Sequence, residues 1–282
     1  MKKNYIPFLL LLVVMVLVLV GPSAQPITTD SKIDTGDTAW LLVSTALVLI
    51  MTPGLAFFYG GMVRKKNVIS TMLQSFVCLG LITVIWVVFG FSLAFGESIY
   101  GIIGNPTTFF MMKGTLGNAT WPLAPTIPLL LFAMYQLKFA VITPALITGA
   151  FAERIRFNSY LLFISLFMIF IYAPLAHSTW HPDGILFQKG VLDFAGGTVV
   201  HMSAGWAALA SALYLKGRTE QEQSPARISY VILGTGLLWF GWFGFNAGSA
   251  LGASTLAATA LATTTTASAA ATIAWIFLDM VR

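Results

Sequence analysis

Leu192-Asp193-Phe194-Ala195-Gly196-Gly197-Thr198-Val199-Val200-His201-Met202-Ser203-Ala204-Gly205-Trp206 opens an apolar run that continues to Leu215. A segment of ~20 apolar residues rising 1.5 Å per residue crosses a ~30 Å hydrocarbon layer, so 194–215 reads as a membrane-spanning helix. Near its middle sits a titratable side chain, His201, eight residues after Asp193 and therefore roughly 12 Å deeper. Imidazole is polar in either tautomer, and near the middle of a bilayer it needs a partner or a pore. Asp193 stands at the start of the helix, where a carboxylate caps free N–H groups and faces the positive end of the dipole. It also attracts a cation toward the mouth, and the two roles are compatible. The small residues Gly196, Gly197, Ser203, Ala204 and Gly205 admit close approach of neighbouring helices.

Six more apolar stretches accompany this one, at 38–63, 68–95, 125–151, 159–176, 228–251 and 258–278. The whole chain is 57% hydrophobic and 9% charged, with a mean hydropathy of +0.85. A soluble domain carries about 25% charged residues, so the solvent for most of this chain is lipid. Helices are the open-chain way to satisfy backbone hydrogen bonds there, and the fold class is an all-α, polytopic membrane bundle. The net charge of +5 does not argue for a nucleic-acid partner, because cations collect at the cytoplasmic ends of membrane helices. The connections carrying Arg64-Lys65-Lys66, Arg154 with Arg156, and Lys216 to Arg227 alternate with connections holding only Lys113 or Lys189. That alternation places the basic loops inside and the first span running inward.

The N-terminus agrees with this orientation. Met1-Lys2-Lys3, an apolar run over 6–20 and Gly21-Pro22-Ser23-Ala24 form the three parts of a secretory signal, cleaved near Ala24, with an uncleaved anchor as the alternative. The polar stretch 25–37, with Asp30, Asp34 and Asp37, then lies outside. Cys78, the lone cysteine, reads as a small buried side chain and not as part of a disulfide. No nucleotide-binding glycine loop, nucleophile elbow or paired-cysteine metal motif occurs. His177 and His181 lie four apart in an expected outer loop, but Pro182 weakens the helix that would let them share a zinc ion. No metal and no cofactor is expected, and enzymatic use of His201 is disfavoured because no second titratable residue lies one turn away.

Aromatic residues form a second constellation. Tyr135 and Phe139 are four apart on the third span and share a face. Trp180 falls in the expected outer loop, and Trp242 and Phe245 on the sixth span. They read either as an interfacial belt with lipid-facing rings or as a cluster that attracts a cation through its ring faces. Gly244, Gly248 and Gly252 form a small-xxx-small repeat, a packing surface.

Four stretches together resemble the ammonium transporters of the Amt/MEP/Rh family. They are Pro53 to Gly61, Gly149-Ala150-Phe151-Ala152-Glu153-Arg154-Ile155-Arg156-Phe157, Asp193 to His201, and Gly241-Trp242-Phe243-Gly244-Phe245-Asn246-Ala247-Gly248-Ser249, in the family's order from about residue 37 onward. The resemblance implies a first five-helix repeat followed by the start of an inverted second repeat, assembled as a homotrimer with a pore in each subunit. By the same resemblance Tyr135, Phe139, Trp180 and Ser249 match an outer ammonium-recruiting site, with Tyr135 in a place usually held by Phe. Phe139 and Phe245 match the stacked rings of a pore gate, and His201 matches the first of two pore histidines that hold or relay a proton. The expected activity is transmembrane transport, with ammonium deprotonated at the gate and ammonia passing an apolar pore. A multi-pass protein of the cell membrane follows, in a bacterial inner membrane. A cytoplasmic nitrogen-signalling protein is an implied partner, and ammonium sensing or a truncated, non-transporting protein is the alternative. The residues stop at Arg282 soon after the seventh span, without a counterpart for the family's second histidine, so a fragment of a longer product is expected. Lys138 departs from the pattern: it adjoins Phe139, and its ~100° offset around the helix lets it point away from the recruiting site.

Overall fold

The computed structural model describes residues 32–217 and 224–281, with the isolated positions 12, 13, 16 and 20 and the pair 29–30 before them. The signal reading of 1–24 therefore falls outside the described residues in all but four positions, as does the middle of the 216–227 loop. Among the described residues seven helices are long and apolar enough to cross a membrane. They are α1 (Thr35–Met62), α2 (Val68–Ile85, a π-helical turn Trp86–Gly90, then Phe91–Phe95), α3 (Leu129–Phe151), α4 (Phe157–Phe167, a π turn Met168–Tyr172, then Ala173–Trp180), α5 (a π turn Gly197–Met202, then Ser203–Leu215), α6 (Ile228–Ala247) and α7 (Thr255–Met280). The all-α membrane class expected from composition is the class observed.

Local chemistry decides where these helices start and stop. Asp34 caps α1 by accepting the Asp37 N–H at 2.9 Å, so the helix begins three residues before the apolar run. Ser254 caps α7 through the Ala257 N–H. The fourth span corrects the sequence reading, which ended it at 176 and left Trp180 in a loop. The helix continues through His177, Ser178 and Thr179 to Trp180. It does so because His177 and Ser178 find partners inside the bundle: His177 Nε2 meets Ser98 Oγ at 2.8 Å, its Nδ1 meets the Ala94 carbonyl at 3.0 Å, and Ser178 Oγ donates to the Ile102 carbonyl at 3.3 Å. Pro182 restricts the residue before it to extended backbone, and His181 (φ −80°, ψ 139°) ends the helix there.

Lipid offers no hydrogen bonds, so each polar side chain on a span needs a partner within the protein. Trp86 Nε1 donates to the Ala133 carbonyl at 3.0 Å, joining α2 to α3. The Tyr59 hydroxyl donates to the Leu146 carbonyl at 2.8 Å, joining α1 to α3. Tyr160 reaches Thr148 Oγ1 at 3.0 Å, the Gln74 carbonyl at 3.1 Å and Cys78 Sγ at 3.2 Å, gathering α2, α3 and α4 around the buried cysteine. The connection between α2 and α3 folds inward over this core. Its Phe109 and Trp121 are buried, and Trp121 stacks on Phe132 of α3 with ring centroids 5.5 Å apart.

The three basic connections gather at one end. Glu153 Oε1 accepts from Arg64 N (2.9 Å), Arg64 Nε (3.1 Å) and Asn67 Nδ2 (2.8 Å). The Arg154 guanidinium donates to the Lys216 carbonyl, and Arg227 N donates to the Gly61 carbonyl at 3.1 Å. Burial alone would raise the Glu153 carboxyl, but the hydrogen bonds from Asn67 and Arg64 and the adjacent guanidinium outweigh it and hold it below the usual range. A lowered carboxyl contributes stability that is complete above the ordinary glutamate range and is lost as pH falls through the lowered value.

The closest helix contact joins α1 to α6, across glycines spaced seven apart on each: Gly54 and Gly61 on α1, Gly234 and Gly241 on α6. A Cβ at Gly234 would lie 2.5 Å from the Gly54 carbonyl oxygen and would also strike Phe58 N, both backbone atoms that cannot move aside. At Gly61 it would meet the Arg227 carbonyl at 2.7 Å. Small residues here let the backbones interlock, as in other membrane helix pairs. Gly234→Val therefore costs about 1–3 kcal/mol through overpacking, seen as a lower melting temperature and folded yield in detergent. Gly236→Ala, with open space around its Cβ, leaves both at the wild-type value; equal behaviour of the two variants would contradict this contact.

Candidate functional site

Asp193 organises the entrance. Its Oδ1 accepts the N–H groups of Gly196 (2.6 Å) and Gly197 (2.8 Å), and its Oδ2 those of Thr198 and Val199 (2.9 Å each). These are the amides at the start of α5, which have no partner within a helix, and the carboxylate also faces the positive end of that helix. The carbonyl of Asp193 accepts the Trp180 indole N–H at 3.1 Å, which ties the end of α4 to the start of α5. Gly196 makes the turn possible. Its φ of +86° is a left-handed conformation, and a Cβ there would sit 2.7 Å from Val200 Cγ2.

Tyr135, Gln136, Phe139, Trp180, Asp193 and Ser249 share the wall of one cavity of about 400 Å³. The rings meet edge to face: Tyr135 lies 5.0 Å from Phe139 at 69°, and Phe139 lies 6.2 Å from Trp180 at 82°. Phe139 then approaches Phe245 of α6 to 4.4 Å between centroids, tilted by 42°. The Ser249 hydroxyl donates to the Phe245 carbonyl at 2.8 Å, which leaves its lone pairs as acceptors. The face of a ring is electronegative, so this wall suits a compact cation that also donates hydrogen bonds.

Beyond the ring pair lies His201. Its imidazole is 5.7 Å from the Phe245 ring and lies parallel to the Trp242 indole, 5.7 Å away at 5°. It belongs to the π turn that opens α5, where the His201 N–H reaches back five residues to the Gly196 carbonyl at 3.0 Å. Such turns recur at functional positions because the extra residue re-aims a side chain. A second cavity of about 480 Å³ holds Asp193, His201, Trp242, Asn246 and Thr264 on its wall. Asn246 Nδ2 donates to Thr264 Oγ1 at 2.9 Å, the polar link from α6 to α7.

All seven residues singled out in the sequence thus meet: Tyr135, Phe139, Trp180 and Ser249 on the first cavity, Phe245 beneath, His201 beyond it, and Asp193 on both walls. Trp242, named in the sequence beside Phe245, walls the cavity that holds His201. Its signal was its place three residues before Phe245, on the same helix face. The pairing of Asn246 with Thr264 had no signal, since it depends on how two consecutive helices face each other. Lys138 lines neither cavity and is half-buried on α3. His177 and His181 do not converge on a shared ligand position: their rings stack, 4.3 Å apart at 19°. Among the described residues no cluster of three metal-ligating side chains occurs.

Residues 39–282 match the model of the Ammonium Transporter Family. The chain is 50% identical over 251 residues to a putative ammonium transporter of Methanothermobacter thermautotrophicus, covering 89% of this chain and 61% of that protein. With an ammonium transporter of Aquifex aeolicus it shares 47% identity over 254 residues, 90% of this chain and 59% of the relative. It therefore spans about three fifths of the length of these relatives. The crystal structure of Candida albicans Mep2 superposes with a TM-score of 0.81 at 34% identity, over 88% of this chain and 55% of that one. A structure titled as a sensor Amt protein does so with a TM-score of 0.77 at 30% identity, over 88% and 63%.

The four bonds to Asp193 yield a stability prediction. Asp193→Asn keeps the shape but removes the charge and turns one acceptor into a donor facing amide N–H groups. Hydrogen bonds to a charged group contribute about 1.5–3 kcal/mol each, and the variant should lose about 2 kcal/mol or more. Thermal unfolding in detergent reads this loss, and an unchanged melting temperature would contradict it.

Proposed function

The chain belongs to the ammonium transporter family, and from that premise we propose that it takes part in moving ammonium nitrogen across a cell membrane as ammonia, with the proton parted from it at the ring pair. The observation that carries this reading is the adjacency of three groups: a vestibule walled by ring faces, the Phe139–Phe245 ring pair, and an imidazole against Phe245. Phe139, Trp180, the ring of Tyr135 and the Ser249 hydroxyl recruit the ion. Ring contacts supply up to ~2 kcal/mol each when desolvated, whereas an isolated charge in an apolar medium costs tens of kcal/mol. Recruitment can therefore hold ammonium at the mouth but cannot carry it bare through Phe139 and Phe245. Neutral ammonia crosses at far lower cost, and His201, an imidazole that titrates near neutrality in water, holds or passes the proton. Asp193 fixes the path and lends its negative charge to the entrance.

Further elements of the reading come from the sequence pattern and from the family. The basic end faces the cytoplasm, following the cation asymmetry of the loops. Homotrimeric assembly, a mature N-terminus outside after signal cleavage near Ala24, and a cytoplasmic nitrogen-signalling partner belong here too. The likeness to a sensor Amt protein favours a second reading, in which the vestibule binds ammonium and reports it without carrying flux.

Transport by the protein as its gene encodes it, reconstituted in proteoliposomes, decides between these readings. Ammonium-evoked currents and methylammonium uptake are expected in the wild type. His201→Ala should lower the charge moved per methylammonium taken up. Currents and uptake identical to wild type would sink the role of His201, and ammonium binding without flux in either protein would favour the sensor.

A further inference from the structure

Tyr135 carries a hydroxyl that the recruitment of a cation by ring faces does not use. The structure places that hydroxyl at the far end of α6. It lies 2.9 Å from the Gly244 carbonyl, 3.2 Å from the Phe245 carbonyl and 3.3 Å from Ser249 Oγ. The last carbonyls of a helix lack a full set of donors within it, and a buried one draws on donors from the next turn or from other side chains. Here the Gly248 N–H already serves the Gly244 and Asn246 carbonyls, and three side chains add further bonds: Trp40 of α1 donates to Ala247, Ser249 to Phe245, and Tyr135 of α3 to the Gly244 and Phe245 pair. Tyr135 is 1% exposed, so water does not compete for these bonds.

The two residues joined are each tied to the ring pair. Tyr135 precedes Phe139 by one helical turn on α3, and its ring rests on Phe139 at 5.0 Å. Gly244 and Phe245 are the backbone units that carry the opposing ring, 4.4 Å from Phe139. We infer that the Tyr135 hydroxyl is a positioning group for this gate: it anchors the last turn of α6 to α3 and so holds Phe245 against Phe139. Tyr135 then has two separable parts, a ring that faces the vestibule and a hydroxyl that sets how readily the rings part. The inference rests on the transport reading for its effect on flux, but the anchor itself is a structural claim. A phenylalanine at this position would keep the ring and lose the anchor. Opening the gate would become easier, and the larger methylated substrate would gain most, because it needs the wider aperture.

Tyr135→Phe, made in the protein as its gene encodes it and reconstituted in lipid, tests both levels. Hydrogen–deuterium exchange should rise in the segment 244–250 and stay at the wild-type level in the α1 segment around Tyr59. The ratio of methylammonium to ammonium flux should rise roughly five-fold, the scale of one net hydrogen bond. In a Phe245→Leu background, where the ring pair is already broken, Tyr135→Phe should leave that ratio where it stands. Unchanged exchange at 244–250 would overturn the anchor, whether or not the wild type carries ammonium. Raised exchange with an unchanged flux ratio, or with both fluxes falling in proportion, would overturn the gating role. A wild type without ammonium flux would refute the transport reading and the gating role with it, while the exchange result still decides the anchor.

Discussion

Four backbone N–H groups at the start of α5 converge on one carboxylate, that of Asp193, and the rest of the site depends on that convergence. A helix that begins inside a membrane protein exposes unpaired amides to a medium that cannot hydrogen-bond them. Asp193 answers all of them at the first turn. The same residue holds the Trp180 indole through its carbonyl. One residue, through its side chain and its carbonyl, therefore fixes the height of α5, the aromatic wall of the vestibule and the start of the π turn that aims His201. The left-handed Gly196 is the conformational condition for this arrangement, since a side chain there would strike Val200.

A second constraint, close approach, sets the opposite wall. Phe245 reaches Phe139 because α6 lies close against α1, backbone on backbone at Gly234 and with Leu237, Val231 and Met51 filling the space left by Gly54, Gly61 and Gly241. The contact brings the C-terminal turn of α6 within reach of Trp40 and Tyr135, whose polar atoms satisfy its carbonyls. Packing by small residues and saturation of hydrogen bonds are thus one device. The first brings the helix ends together, and the second stops them from sliding. The ring pair sits between the two walls so defined, with acceptors and ring faces on one side and an imidazole on the other.

Much of this was legible in the residues. Seven apolar runs mark the spans because lipid demands uninterrupted apolar length, and the cation asymmetry of the loops anticipated that the basic connections share an end. The motifs hold Asp193, His201, Phe245 and Ser249, while Tyr135, Phe139 and Trp180 came from the aromatic pattern and the family resemblance; the fold brings these seven side chains near one another. The misses have a common cause. Trp180 was read into a loop because hydropathy falls at His177, yet α4 continues where Ser98 and Ala94 satisfy that imidazole. Trp242 against His201, Thr264 under Asn246 and the Tyr135 hydroxyl on α6 are contacts between different helices. Periodicity reports which face of a helix a residue occupies, but not what meets that face.

The central claim is that nitrogen passes the Phe139–Phe245 pair as ammonia, after a proton has been removed. The most direct measurement is the initial rate of ammonium flux into proteoliposomes in light and in heavy water, with a viscosity-matched glycerol control in light water. If proton removal limits passage, flux slows in heavy water well beyond the glycerol control. Equal rates in heavy water and in the glycerol control would mean that no proton transfer limits passage, and would contradict the account.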